Sequence, residues 1–446
     1  MPMRRRALWA IAVLLSIAVL IAPALWNGFA LLQYDTGGYL ARPYEGYLVI
    51  SRAVAYGLIL YAGVPFAFWP VLLLQSALTV WIVTLLLRAH GLGNRPLLLL
   101  ALIFALSILT TLPWLTSILL TDIFCGLGVL ALYLVILRGD CLRDWERAAL
   151  IVLVAVSAAT HNATFAVLLA LLAAAALFWL VLADRKRLPF ARLGHGVLAL
   201  TLGAVMTLTA DYAVSGRLAW TPGGFALSFG RMLQDGIVKR YLDDHCPDPT
   251  LRLCPYKDEL PPNADAWFWG SDLFDKLGRF AGLDREMERI VIASAIDYPG
   301  LQIETAAISA AEQLVDVHTG EGVANTVWHT YGVIQHYAPR LVPAMRAARQ
   351  QKGEISFAAI NRLHYPVALL SMALLPLLAL FAFTADLGDV GEVVATVALA
   401  ILANAFVCGA MANPHDRYGA RIVWLATLAV VLTLACWRQA RSEAIN

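Results

Sequence analysis

Charge is scarce in this sequence, and that scarcity excludes most soluble folds. Charged residues make up 14% of the chain, where an ordinary soluble domain carries about 25%. Hydrophobic residues reach 60%, more apolar surface than a chain of this length hides without lipid. The formal net charge is only +2, and no Lys/Arg-rich run appears outside short loops, so a nucleic-acid partner is excluded. Strand patterning is weak. No internal repeat is present, and the only low-complexity tract is the Leu/Ala-rich stretch 165–176.

What is present is a series of apolar runs. A basic start (MPMRRR) precedes an apolar run over 7–30, too long for a signal peptide and not followed by an A-x-A site. It reads as a first span with a cytoplasmic start. Further runs cover about 68–87, 96–112, 116–137, 148–160, 163–183, 195–214, 366–384, 391–411 and 420–437. Together they predict an all-α polytopic membrane protein of about ten transmembrane helices. Basic residues alternate as the positive-inside rule requires: Arg88 and Arg95, then Arg138, Arg143 and Arg147, then Arg185, Lys186, Arg187 and Arg192, then Arg438 and Arg441 fall on one side. The short opposite loops hold few basic residues: Arg42, then Arg417 and Arg421. One acidic loop, TADLGDVGE, falls on the basic side. Both termini are expected in the cytoplasm, and the protein in a bacterial inner membrane.

The segment 44–66 is apolar but contains Arg52. Read as a span it would invert every later loop, so an outer interfacial helix is expected there. Residues 1–214 are thus read as the first part of the bundle, with about seven spans. Residues 365–446 supply the last three. Between them, 215–364 is rich in charge, Pro and Trp and reads as a mostly helical extracytoplasmic domain. Of six cysteines, only Cys246 and Cys254 lie in this polar stretch; a disulfide between them suits an oxidising compartment.

Several polar groups fall on one membrane face under this topology. Asp35 follows the first span, where it could serve a ligand or cap the next helix through Thr36. Asp122 is expected two turns into the apolar run after Pro113-Trp114, roughly 12 Å below Trp114; it is a site residue or a structural partner for a buried Arg. His161 sits between two spans, as a site residue or a helix cap. Near the end, NPHDRYGAR offers His415, Arg417, Tyr418 and Arg421, either a phosphate-binding set or a polar anchoring belt. Arg231, Asp235 and Lys239 at helical spacing read as a solvated ion-paired face. Trp267 and Trp269 read as sugar- or lipid-packing groups or as domain core.

An N-in first span with an acidic outer loop (Tyr34-Asp35), an interfacial helix after it and a late Asp-Arg-Tyr at a span edge resemble membrane glycosyltransferases of the GT-C class. That class includes the protein O-mannosyltransferases and the lipid A aminoarabinose transferases. The segment 228–262 also resembles uncharacterised bacterial membrane proteins. Two features depart from the class: the next acid after Asp35 is Glu45, and three spans follow the polar domain. The resemblance implies sugar transfer from a polyprenyl-phosphate donor to an acceptor at the outer face, with membrane lipid as the other partner. Asp35 would act as base, Asp122 and His161 would orient, and His415, Arg417, Tyr418, Arg421 and Arg52 would hold substrate or phosphate. It makes no cofactor certain and leaves a divalent metal, and the acceptor, open. A transporter or flippase of a lipid-linked saccharide and a non-catalytic envelope scaffold are the alternatives.

Overall fold

The computed structural model describes residues 3–182, 189–385 and 387–445; Arg185, Lys186 and Arg187 lie outside them. Among the described residues the chain is all-α, with two isolated β-bridges and no strand. Six helices are long and apolar enough to cross a membrane: Trp69–Ala89, Asn162–Val181, Phe190–Ser215, Ala358–Ala382, Asp389–Ala410 and Asp416–Ser442. Val54–Phe66, Pro96–Leu109 and Asp122–Leu137 are apolar but shorter. The chain is therefore an all-α protein of membrane-spanning character. Pro70 and Pro96 open their helices in the first turn, where the missing N–H leaves no intrahelical bond unmade. Gly216 closes Phe190–Ser215 in the left-handed conformation (φ 68°).

The last helix, Asp416–Ile445, is the most enclosed of the six. It packs on Ala358–Thr384, Gly388–Ala405 and Asp122–Leu137. Its Trp424 is fully buried against Gly126, whose missing side chain lets the indole approach. At one end of the bundle basic side chains are tied to neighbouring turns. Arg5 donates to the Asn94 carbonyl at 3.2 Å, Arg88 pairs with Glu146, and Arg192 pairs with Asp140 at 3.5 Å. The acidic 384–392 turn belongs to the same end: Arg138 meets Asp389 at 2.7 Å and Glu392 at 4.0 Å. Asp389 and Glu392 thus partner a basic residue there, which accounts for acidic side chains on the basic side.

Three expectations change. The run 116–137 is not one helix, because residues 118–121 are non-helical and Asp122 begins the helix Asp122–Leu137. The segment 44–66 is not one helix either. It holds the end of Thr36–Glu45, a loop, and then Val54–Gly63, whose Tyr56 and Leu60 are buried in the bundle core. Arg52 lies in that loop, ahead of the helix. Finally, 215–364 has two parts. Phe229, Trp267, Phe274 and Met287 centre a core of their own, on a segment in which Cys246 and Cys254 are bonded to each other. Val327, Ile334, Leu341 and Met345 instead join the core of the bundle. They are spaced too sparsely among polar residues to read as a span, yet Trp328–Tyr337 packs on the helix Thr36–Glu45. Within the smaller core Arg231 is buried, bonded to Asp235, Gln302 and Thr305, so it is no solvated face. Lys239 is, paired with Asp243 on the surface. Trp267 is core, whereas Trp269 is exposed.

Candidate functional site

The site lies at the bundle end away from the basic turns and is built on irregular backbone. Leu31 bridges Ile118: the Leu31 amide donates to the Ser117 carbonyl and the Leu119 amide to the Leu31 carbonyl, both at 3.0 Å. That bridge brings the 31–36 loop beside 117–122, and the Thr36 hydroxyl fixes it by donating to the Leu119 carbonyl at 2.9 Å. A third segment locks the same loop, since Thr330 Oγ1 donates to the Gln33 carbonyl and accepts from the Gly37 amide. Non-helical backbone among apolar helices survives where it is enclosed by protein or lines a cavity. The Asp35 side chain makes no cap bond to the helix it precedes, which leaves both oxygens for other partners.

A fourth segment supplies the cations. A π-turn, Phe406–Ala410, ends the helix Gly388–Ala405, and such turns widen a helix and re-aim the residues beyond them. Gln313 then grips His415 by both backbone groups, at 2.9 and 3.0 Å. The next turn, the start of Asp416–Ile445, aims Arg417 into the bundle.

Arg417 joins the two acids. Its Nη1 donates to Asp35 Oδ2 at 2.6 Å and its Nε to Asp122 Oδ2 at 2.8 Å. Arg52 Nη2 donates to the other Asp35 oxygen. Asp122 is 2% exposed and Arg417 11%, so the pair sits in a low-dielectric setting where each charge depends on the other. Asp122 also heads its helix, where the dipole favours a carboxylate. Burial disfavours the Asp35 charge, but Arg52 and then Arg417 outweigh it and hold its carboxyl at about 2.

Arg421, one turn on, is wholly buried and bonds to no carboxylate among the described residues. It donates to Asn404 Oδ1 at 2.7 Å, to Cys408 Sγ at 3.2 Å and to His161 Nδ1 at 3.3 Å. A guanidinium can only donate, so Nδ1 accepts and the His161 ring is neutral. The Tyr418 ring lies beneath both guanidiniums, 5.6 Å from Arg417 and 5.5 Å from Arg421. The predicted residues Asp35, Arg52, Asp122, His161, Arg417, Tyr418 and Arg421 therefore form one connected network. Three arginines against two carboxylates leave it with a net charge of +1.

His415 stands at the rim. Its Nδ1 meets Glu321 Oε1 at 2.8 Å, and its Nε2 faces Asp265 at 3.7 Å. Burial disfavours the imidazolium, but Glu321 raises its pKa above the ordinary value. Glu321 is lowered: burial opposes its charge, and His415 and the Arg417 amide at 2.6 Å outweigh that. Sequence reasoning missed Glu321 and Gln313, which lie on a polar stretch remote in the chain and carry no motif.

A cavity of about 30 Å³ opens onto the network, lined by Asp122, Glu321 and Arg417 and walled by Leu31, Trp114, Val323 and Phe357. That is room for about two waters. Among the described residues no group of three or more His, Cys, Asp or Glu is placed to hold a metal ion. Asp35 and Asp122 each hold an arginine instead. Comparisons with protein-family models, curated proteins and solved structures find no match for this chain.

Proposed function

We propose that the chain is a membrane glycosyltransferase that takes its sugar from a polyprenyl-phosphate donor. One observation carries the reading: three arginines meet two aspartates, and the one wholly buried arginine, Arg421, lacks a carboxylate, beside a cavity with one polar and one apolar wall. A buried unpaired cation is costly, and an anion is the group that offsets it. Guanidinium forks suit phosphate oxygens, and the apolar wall suits the adjoining isoprenoid. The gathering of basic turns at the opposite end supports a topology with both termini cytoplasmic and the site facing outward, as in a bacterial inner membrane. The Cys246–Cys254 bond is in keeping with that compartment.

In the proposed step an acceptor hydroxyl attacks the anomeric carbon, the carbon–oxygen bond to phosphate breaks, and the phosphate leaves with the electron pair. Arg417 and Arg421 stabilise the charge that develops there. The acceptor proton passes to Asp35. That role requires an exchange of partners, because a carboxyl held at about 2 by two arginines is a poor base near neutral pH. The donor phosphate draws Arg417 away and leaves Asp35 with Arg52 alone. Asp122 and His161 keep Arg417 and Arg421 aimed.

The test is transfer of labelled sugar from a panel of polyprenyl-phosphate hexoses in membranes containing the protein. Transfer should be lost in Asp35→Asn and Arg417→Gln at unchanged protein level. Equal label incorporation by wild type and both variants would refute the reading.

A further inference from the structure

The helix Pro299–Val315 is amphipathic in the wrong sense for a surface helix in water. Its uncharged polar residues face the protein. Gln302 and Thr305 bond to Arg231, Ser309 is buried, and Gln313 holds His415. Its outward face carries Ile303, Ala307, Ile308, Ala311 and Val315, and Ile303 is 73% exposed. Glu304 shares that face and Glu312 lies at its edge.

The preceding helix, Arg279–Asp297, changes character along its length. The exposed positions of its middle turns are Asp284, Arg285, Glu288 and Arg289; those of its last turns are Ile292, Ala295 and Ile296, with Asp297 at the end. A helix whose free face passes from charged to apolar over two turns is leaving water for an apolar medium. The corner joining the two helices has Ile296 73% exposed as well. Pro299–Val315 packs against the π-turn Phe406–Ala410, with the Ser309 carbonyl crowding Gly409. Phe406 and Leu402, beside that contact, are exposed apolar residues on one of the six long apolar helices. The outward face is thus continuous with a surface whose natural solvent is lipid.

We propose that the corner 292–315 is inserted into the bilayer leaflet on the side of the site. A helix with an apolar face and polar backing lies in the interface plane, buried about 5–10 Å into the headgroup–acyl boundary. Insertion is apolar rather than electrostatic, because Glu304, Glu312 and Asp297 are the charges along it and repel anionic headgroups. Val315 leads directly into the 316–323 segment that carries Glu321 to the cavity. The inserted helix therefore sets the cavity rim at headgroup depth, which is where a lipid phosphate lies. Only this last consequence rests on the proposed function.

The test uses the full chain in phosphatidylcholine nanodiscs, with an environment-sensitive fluorophore at Ile296→Cys, Ile303→Cys or Arg289→Cys; labelled wild type gives the background from native thiols. Brominated-chain phosphatidylcholine should quench the label at 296 and 303, and aqueous iodide should not; at 289 the order reverses. Iodide quenching at 303 equal to that at 289 would overturn the proposal. So would a label shielded from both quenchers, which would mean that a second copy or another protein covers the face. Neither result depends on sugar transfer.

Discussion

Replacing Arg417 with alanine isolates Asp122. Asp35 keeps Arg52, but Asp122 is 2% exposed and Arg417 is its only ion-pair partner among the described residues. Removing one member of a buried pair costs about 3–5 kcal/mol, most of it the penalty of the charge left behind. The helix dipole at Asp122 returns about 0.3–1 kcal/mol, too little to cancel that. A further Asp122→Asn change removes the orphaned charge and keeps a polar group of the same shape. The double variant should therefore be more stable than Arg417→Ala alone, with a coupling energy of at least about 1 kcal/mol. Equilibrium unfolding of the four proteins of this cycle in mixed micelles, followed by tryptophan fluorescence, measures it. Coupling within about 0.5 kcal/mol of zero, the additivity expected of independent sites, would refute a mutually dependent buried pair.

Reduction of Cys246–Cys254, which closes a loop of separation 8, should weaken the small core around Trp267 by about 2–3 kcal/mol. Limited proteolysis with and without reductant should show faster cleavage within 224–298 and an unchanged bundle. Gly126→Ala places a methyl 2.7 Å from Trp424 and should cost about 1–3 kcal/mol by overpacking, read as a lowered melting temperature. The raised His415 pKa stabilises the fold most below its unfolded value of about 6.5. That contribution is lost as pH rises through the folded value, so protection factors across 316–323, corrected for base-catalysed intrinsic exchange, should fall on going alkaline. Glu321→Gln should remove this pH dependence. Asp35, held at about 2, keeps its contribution above about pH 4 and loses it only as pH falls toward 2, so between pH 5 and 8 it should add no pH dependence.

Six of the about ten expected spans appear as helices long and apolar enough to cross a membrane, and they were legible because their apolar runs are long. The site was legible only in part. Asp35, Asp122, His161, Arg417 and Arg421 stand out as polar residues in apolar surroundings, and a single orientation rule puts them at one end. Their pairing was not readable: Asp35 and Arg417 are far apart in the chain, and no local periodicity encodes that contact. The continuous helix expected from Trp114 to Asp122 fails because the break at 118–121 comes with a bridge to Leu31, a partner that the local sequence does not reveal. Glu321, Gln313 and Thr330 were invisible for the same reason. They lie in a stretch whose polar composition resembles a separate domain, while its sparse apolar residues pack into the bundle.

Binding of a polyprenyl monophosphate to the purified protein in nanodiscs, compared with the matching polyprenol, tests the buried cation cluster most directly. The phosphate should bind at least about tenfold more tightly than the alcohol, a difference of ~1.4 kcal/mol, and Arg417→Gln should erase that preference. Equal affinity for phosphate and alcohol, or a preference that survives Arg417→Gln, would contradict an anion site at Arg417.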